Sequence, residues 1–239
     1  MQVPALVTRP AGTALAAAFA RLAARRGGAG VHTAGLPLSG TLDLRARVPV
    51  PGVPLLDRPG WYEVTARSSW GVGPVRDLPD LPGLGLRVLD ADGRGGHQDL
   101  LLDASRPAPH DRVLVPRRTL AGWYGSPLRL RLGGPDGPKA NVAVRLHGDR
   151  VGLAELRAAG RVDGTLLVHA GGRLLAVGDL VLRTATGPAE PRFDLRADAG
   201  GLVSAGFWND LRVRTYAAYR DGDPRPVTYS DGSSSQSTM

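Results

Sequence analysis

The chain of 239 residues has no cysteine, and that excludes disulfides, thiolate metal sites and cysteine nucleophiles. Lysine is almost absent: of the 30 cationic residues only Lys139 is a lysine. Aromatic residues make up 5% of the chain, so Leu, Val and Ala must supply most of the core volume. No apolar run is long enough to span a bilayer. A charged segment followed by a long apolar core is also missing near the N-terminus, where Arg9 leads into Ala-rich sequence interrupted by arginines. These absences predict a cytoplasmic protein without a membrane partner.

What is present is basic and rich in glycine and proline. The net charge of +8 raises nucleic acid or an anionic surface as partners. The arginines are scattered, often beside Asp or Glu. There is no RNA-binding aromatic signature and no recognisable helix-turn-helix pair, so no nucleic-acid partner is expected. The length suits one large domain with a sizeable core.

Periodicity organises the chain. Residues 12–26 read as a helix, with Leu15, Phe19 and Leu22 on one face and Arg21, Arg25 and Arg26 on the other; Gly27 and Gly28 stop it. Thr41–Val48 alternates as a half-buried strand does. Further strands are expected at Trp61–Ser69, Leu84–Leu89, Gln98–Asp103, Leu128–Leu132, Asn141–His147, Gly164–Ala170 and Arg173–Thr184. Leu153–Ala159 reads as a helix between two of them, and residues 107–126 as a mixed segment with Trp123 and Tyr124. Asp90-Ala91-Asp92-Gly93 reads as a hairpin turn, because the remaining calcium-loop ligands and a closing glutamate are missing. A last helix opens at Asn209 or Asp210, either of which can cap it, and residues 224–239 read as a disordered tail. About eight strands with few helices between them predict a mainly β (α+β) chain, a closed antiparallel barrel with flanking helices. The expected organisation is an N-terminal segment over 1–27, a barrel domain with its terminal helix over 28–223, and the tail.

Few familiar chemical motifs are present. Histidines 97, 110, 147 and 169 are dispersed without metal-ligand spacing, and no Gly-x-Ser-x-Gly elbow, Walker loop or dinucleotide fingerprint occurs. Two segments hold the candidates. His32 lies in a glycine-flanked stretch just before a strand. On the last helix Arg212 and Tyr216 are four residues apart, hence on one face, where a guanidinium favours the phenolate form of its neighbour.

Five segments together resemble the haem catalases and their smaller catalase-like relatives. Val31-His32-x-x-Gly35-x-x-x-x-Gly40 is similar to the family's segment around its distal histidine, and Arg67-Ser68-Ser69 to its Arg-Phe-Ser strand. Gly83-Leu84-Gly85-Leu86-Arg87-Val88, with the turn to Asp99-Leu100, resembles its next two strands. Val177-Gly178-x-Leu180-Val181-Leu182 followed by Phe193-Asp194 resembles its last barrel strand and the turn beyond, and Arg212-x-x-x-Tyr216 resembles its proximal motif. The likeness spans residues 28–220.

This resemblance implies haem b as cofactor, with Tyr216 as axial iron ligand and Arg212 keeping it ionised. It implies that His32 is the distal acid–base residue, that Ser69 hydrogen-bonds it, and that Arg67 pairs with a haem propionate. Asp103 falls near the family's distal asparagine. Asp223 stands where an arginine seven residues past the tyrosine is expected, with Arg220 as a substitute. The likeness does not extend to the family's N-terminal arm or its large C-terminal part. The implied activity is therefore catalase- or peroxidase-like: reaction with hydrogen peroxide or an organic hydroperoxide, in a chain that can form a homo-oligomer. The alternative is a haem-free barrel acting as a phosphodiesterase-type hydrolase or a small-ligand binding protein.

Overall fold

A computed structural model describes residues 35–45, 52–71, 79–105, 114–148, 152–170, 172–185, 191–205 and 209. Ten strands occur among them: β1 (Gly35–Leu44), β2 (Gly60–Ser69), β3 (Gly83–Val88), β4 (Gln98–Asp103), β5 (Gly122–Gly125), β6 (Leu130–Leu132), β7 (Lys139–Leu146), β8 (Arg161–Ala170), β9 (Arg173–Thr184) and β10 (Leu202–Val203). Two helices accompany them, α1 (Pro54–Asp57) and α2 (Leu153–Ala159).

Every pairing is antiparallel. The sheet runs β7-β5-β4-β3-β2-β1-β9-β8 and closes because β8 returns to pair with β7, giving a closed barrel of eight strands. Closure leaves each barrel strand with one face in and one face out. On β1, Leu36, Leu38, Leu42 and Leu44 point inward, and the register carries this choice to Ala66 and Val64 on β2, Leu84, Leu86 and Val88 on β3, and Leu100 and Leu102 on β4. Val142, Val144 and Leu146 on β7, Leu166 and Val168 on β8, and Leu180 and Leu182 on β9 complete a core made almost wholly of aliphatic side chains. A one-residue register shift between Leu166 and Leu167 of β8, opposite Val177, brings Val177 into the core as well.

One end of the barrel is plugged. The short helix α1, in the proline-rich connection before β2, buries Leu55 and Leu56 there, and Leu55 N donates to Gly200 O. Gly201 has φ +81, and a side chain on it would meet Val53 Cα at 2.6 Å, so only glycine brings this turn against α1. β10 pairs with β6, which shares an edge of β7 with β5. The other edge of Leu202 is met by a side chain: the buried Gln98 accepts from Leu202 N at 3.1 Å and donates to Leu202 O at 3.1 Å.

Most elements lie where the residue pattern places them; Gln98–Asp103, Leu153–Ala159 and Arg173–Thr184 do so to the residue. β1 starts earlier than the alternation suggests, at Gly35, because Leu36 and Leu38 continue the inward series through Pro37. The expected helix over 12–26 and the tail over 224–239 lie outside the described residues. Asn209 is itself helical, and its amide nitrogen donates to Arg129 O and Ala205 O; the turn that it or Asp210 is expected to cap lies outside the described residues.

Gln98→Ala leaves both buried backbone groups of Leu202 without their partner, so urea unfolding should show a loss of about 2–4 kcal/mol. An unchanged midpoint would mean that the plug does not depend on this amide.

Candidate functional site

One continuous row of register partners crosses seven strands on the outer face, beginning at the end of β1 remote from α1. Register partners follow one another as Gly35, Ser69, Gly83, Asp103, Gly125, Ala143 and Leu167. Outward positions of a barrel are normally wet. Here Ser69, Gly83, Gly125, Ala143 and Leu167 are buried, and Gly35 and Asp103 are half-buried. Four of the seven are Gly or Ala, so the strands present nearly bare backbone along this stretch.

The structure brings three of the expected site residues together here. Ser69 and Asp103 occupy the row with Gly83 between them, roughly 10 Å apart by strand spacing. Ser69 Oγ donates to Gly83 O at 3.4 Å. Arg67 is two residues before Ser69, on the same face, paired in register with Pro37 and Gly85. His32, Arg212 and Tyr216 lie outside the described residues.

The glycines are spaces that other side chains use. A Cβ on Gly35 would be 2.5 Å from Arg67 Cζ, so the guanidinium lies directly over that glycine. A Cβ on Gly125 would be 2.6 Å from Ser105 Oγ. A Cβ on Gly85 would strike the ring of Phe193. Phe193 is held there by its neighbours. Arg87 makes a bidentate pair with Asp99, both bonds 2.7 Å, and its Nη2 also donates to Arg192 O. Asp99, whose side chain is fully buried, accepts from Asp194 N at 2.6 Å. The Arg87 guanidinium lies 5.8 Å from the Phe193 ring centre. A buried ion pair thus clamps the segment after β9 across β3 and β4.

Under this outer layer lies a polar layer inside the barrel that sequence reasoning did not single out. Ser68, between Arg67 and Ser69, points inward and is buried beside Tyr124. The Tyr124 hydroxyl donates to Leu120 O at 2.6 Å, and the Arg117 guanidinium lies 4.4 Å from the ring centre. Arg117 donates to Thr119 O and Trp123 O. Burial pushes the Tyr124 phenol above its ordinary pKa, although the charge of Arg117 opposes it. This tyrosine faces the core, so its pairing with arginine is structural.

Sequence reasoning also missed Ser105 and Asn141. Both are buried, and Asn141 faces outward on β7 opposite His169. Neither lies in a recognisable motif; only the register places them by the row. Among the described residues no group of three or more His, Asp or Glu is placed to hold a metal ion. No helix among them is long and apolar enough to cross a membrane.

No protein-family model matches this chain, and no curated protein sequence does. Solved structures do. A fungal catalase superposes with a TM-score of 0.52 at 11% identity, over 82% of this chain and 58% of the catalase. Catalase A from Saccharomyces cerevisiae superposes with a TM-score of 0.50 at 10% identity, over 82% of this chain and 60% of that one. The chain therefore spans less than two thirds of the length of either, and what is shared at such identity is the fold: a catalase-like barrel.

Gly85→Ala drives a methyl into the Phe193 ring and should cost about 1–3 kcal/mol. Adding Phe193→Leu should restore more than half of that in the same urea titration; no restoration would place the strain elsewhere. The phenol of Tyr124 stays protonated in the folded chain at pH values where the unfolded chain's ionises. Stability should therefore fall as pH rises past about 10, and in Tyr124→Phe it should fall less steeply. Parallel profiles would mean that Tyr124 is not the group responsible.

Proposed function

We propose that this barrel binds haem b on its outer row and reacts with hydrogen peroxide or an organic hydroperoxide. One observation carries the reading. Gly35, Arg67, Gly85 and Phe193, each from a different segment that resembles the haem catalases, meet on one patch of a catalase-like barrel, with Ser69 on the same row. The described residues fit such a cofactor. Five of the seven row positions are buried, and four of the seven carry little side-chain bulk, as a flat macrocycle requires. The half-buried Arg67 is a planar, permanently charged donor suited to a propionate. The Phe193 ring beside it adds an apolar wall.

Haem, when bound, supplies the redox chemistry that breaks a peroxide bond. The chain supplies the rest. Tyr216 would hold the iron as a phenolate, whose ionised form the charge of Arg212, four residues before it in the sequence, would favour. His32 would be the acid–base residue that takes a proton from the peroxide and delivers it to the leaving oxygen. Ser69 orients His32 by fixing its tautomer. Asp103 puts a carboxylate on the row where the resemblance leads to an amide, and a carboxylate accepts hydrogen bonds without donating them. That substitution separates this chain from an efficient disproportionating enzyme and favours peroxidase-type use of a hydroperoxide.

The visible spectrum of protein purified from haem-supplemented cells should show a strong Soret band with the ligand-to-metal features of a high-spin ferric tyrosinate. Tyr216→Phe should abolish that ligation, and His32→Ala should keep the haem spectrum and lose peroxide reactivity. A colourless protein that also fails to take up added hemin would overturn the reading and leave only the shared fold.

A further inference from the structure

Ser105 carries a buried polar atom for which the fold provides no use. The residue is 1% exposed, and its Oγ has no hydrogen-bond partner among the described residues. Burying a hydroxyl without a partner is unfavourable, and native structures keep such groups rarely. Its backbone is well satisfied: Ser105 N donates to Asp103 O at 2.7 Å, and Ser105 bridges Leu114. Only the side chain is left over. It is aimed at the row, because a Cβ on Gly125 would lie 2.6 Å from Ser105 Oγ, and Gly125 is the direct register partner of Asp103. An alanine at 125 would occupy this place, so the missing side chain leaves room that the hydroxyl enters. Hydroxyl and carboxylate thus share one spot on the outer face.

Their chemistry is complementary. A carboxylate oxygen accepts, and a serine hydroxyl can donate. A hydroperoxide needs both partners, since its terminal O–H donates and its oxygens accept. We propose that Ser105 is a substrate-binding residue: its hydroxyl donates to an oxygen of a bound hydroperoxide whose own O–H donates to the Asp103 carboxylate. This deepens the haem reading and rests on it. It assigns ligand recognition to a residue just past the end of β4 that lies in none of the segments resembling the family.

A ligand-binding hydroxyl and a structural one respond oppositely to Ser105→Ala. Removing a buried donor that holds nothing in the ligand-free fold should raise the thermal midpoint of the hemin-free protein, by about 2–4 °C. In the hemin-loaded protein, affinity for fluoride, a small hydrogen-bond acceptor that undergoes no turnover, should fall about tenfold, with hemin affinity unchanged. Higher stability together with weaker fluoride binding supports the assignment. If both proteins load hemin and fluoride binds equally, or if the variant is less stable, Ser105 is structural and the assignment fails while the haem reading stands. If the wild-type chain takes up no hemin, the haem reading fails first and the assignment with it.

Discussion

The pairing of β8 with β7 is the constraint on which the rest of this structure depends. It closes the sheet and removes its edges, and it forces every barrel strand to divide its side chains between an aliphatic interior and an outer face. A slip of one residue in β3 or β4 would turn Leu84 or Leu102 outward and bring Gly83 or Asp103 into the core. The inward set is so uniformly aliphatic that the register has little freedom. The outer row inherits its alignment from the core. A line of partners from Gly35 to Leu167 exists because the leucines and valines beside them must face the other way.

Most of the row is buried although it lies on the outside, and the polar groups around it are arranged in two layers. Inside the barrel, Tyr124, Arg117 and Ser68 form a cluster centred on a buried phenol that donates to a backbone carbonyl. Outside, the Arg87–Asp99 pair ties the segment carrying Phe193 across β3 and β4. A buried ion pair contributes little net stability after desolvation, but it is intolerant of displacement, which suits a part whose task is to hold a ring in one place. Ser68 Oγ in the inner cluster and Ser105 Oγ by the row are buried hydroxyls with no hydrogen-bond partner among the described residues.

Much of the architecture was legible in the residue pattern. Alternation located most of the strands, and the apolar spacing of Leu153–Ala159 located α2. The elements that escaped are short or carried by unusual sequence. α1 has four residues inside a proline-rich stretch and exists because the barrel end needs Leu55 and Leu56. β5 reads as mixed sequence because its four residues are Gly122, Trp123, Tyr124 and Gly125, with a glycine on each face. β10 has two residues and is stabilised by a distant glutamine. None of these signals is local. The site was half legible: Arg67, Ser69 and Asp103 could be named from their segments, but Ser105 and Asn141 belong to no pattern and acquire a place only through register.

The sequence by itself determined the composition of the core, the absence of thiol chemistry and the alternation that makes these segments strands, because those depend on residue type and spacing of two along the chain. Only the tertiary structure decided that the sheet closes, that Gly35 lies under Arg67 and Gly85 under Phe193, and that Ser105 reaches the partner of Asp103. Those contacts join residues up to about a hundred positions apart. They arise from the pairing order and curvature of the barrel, which no local window of the chain contains.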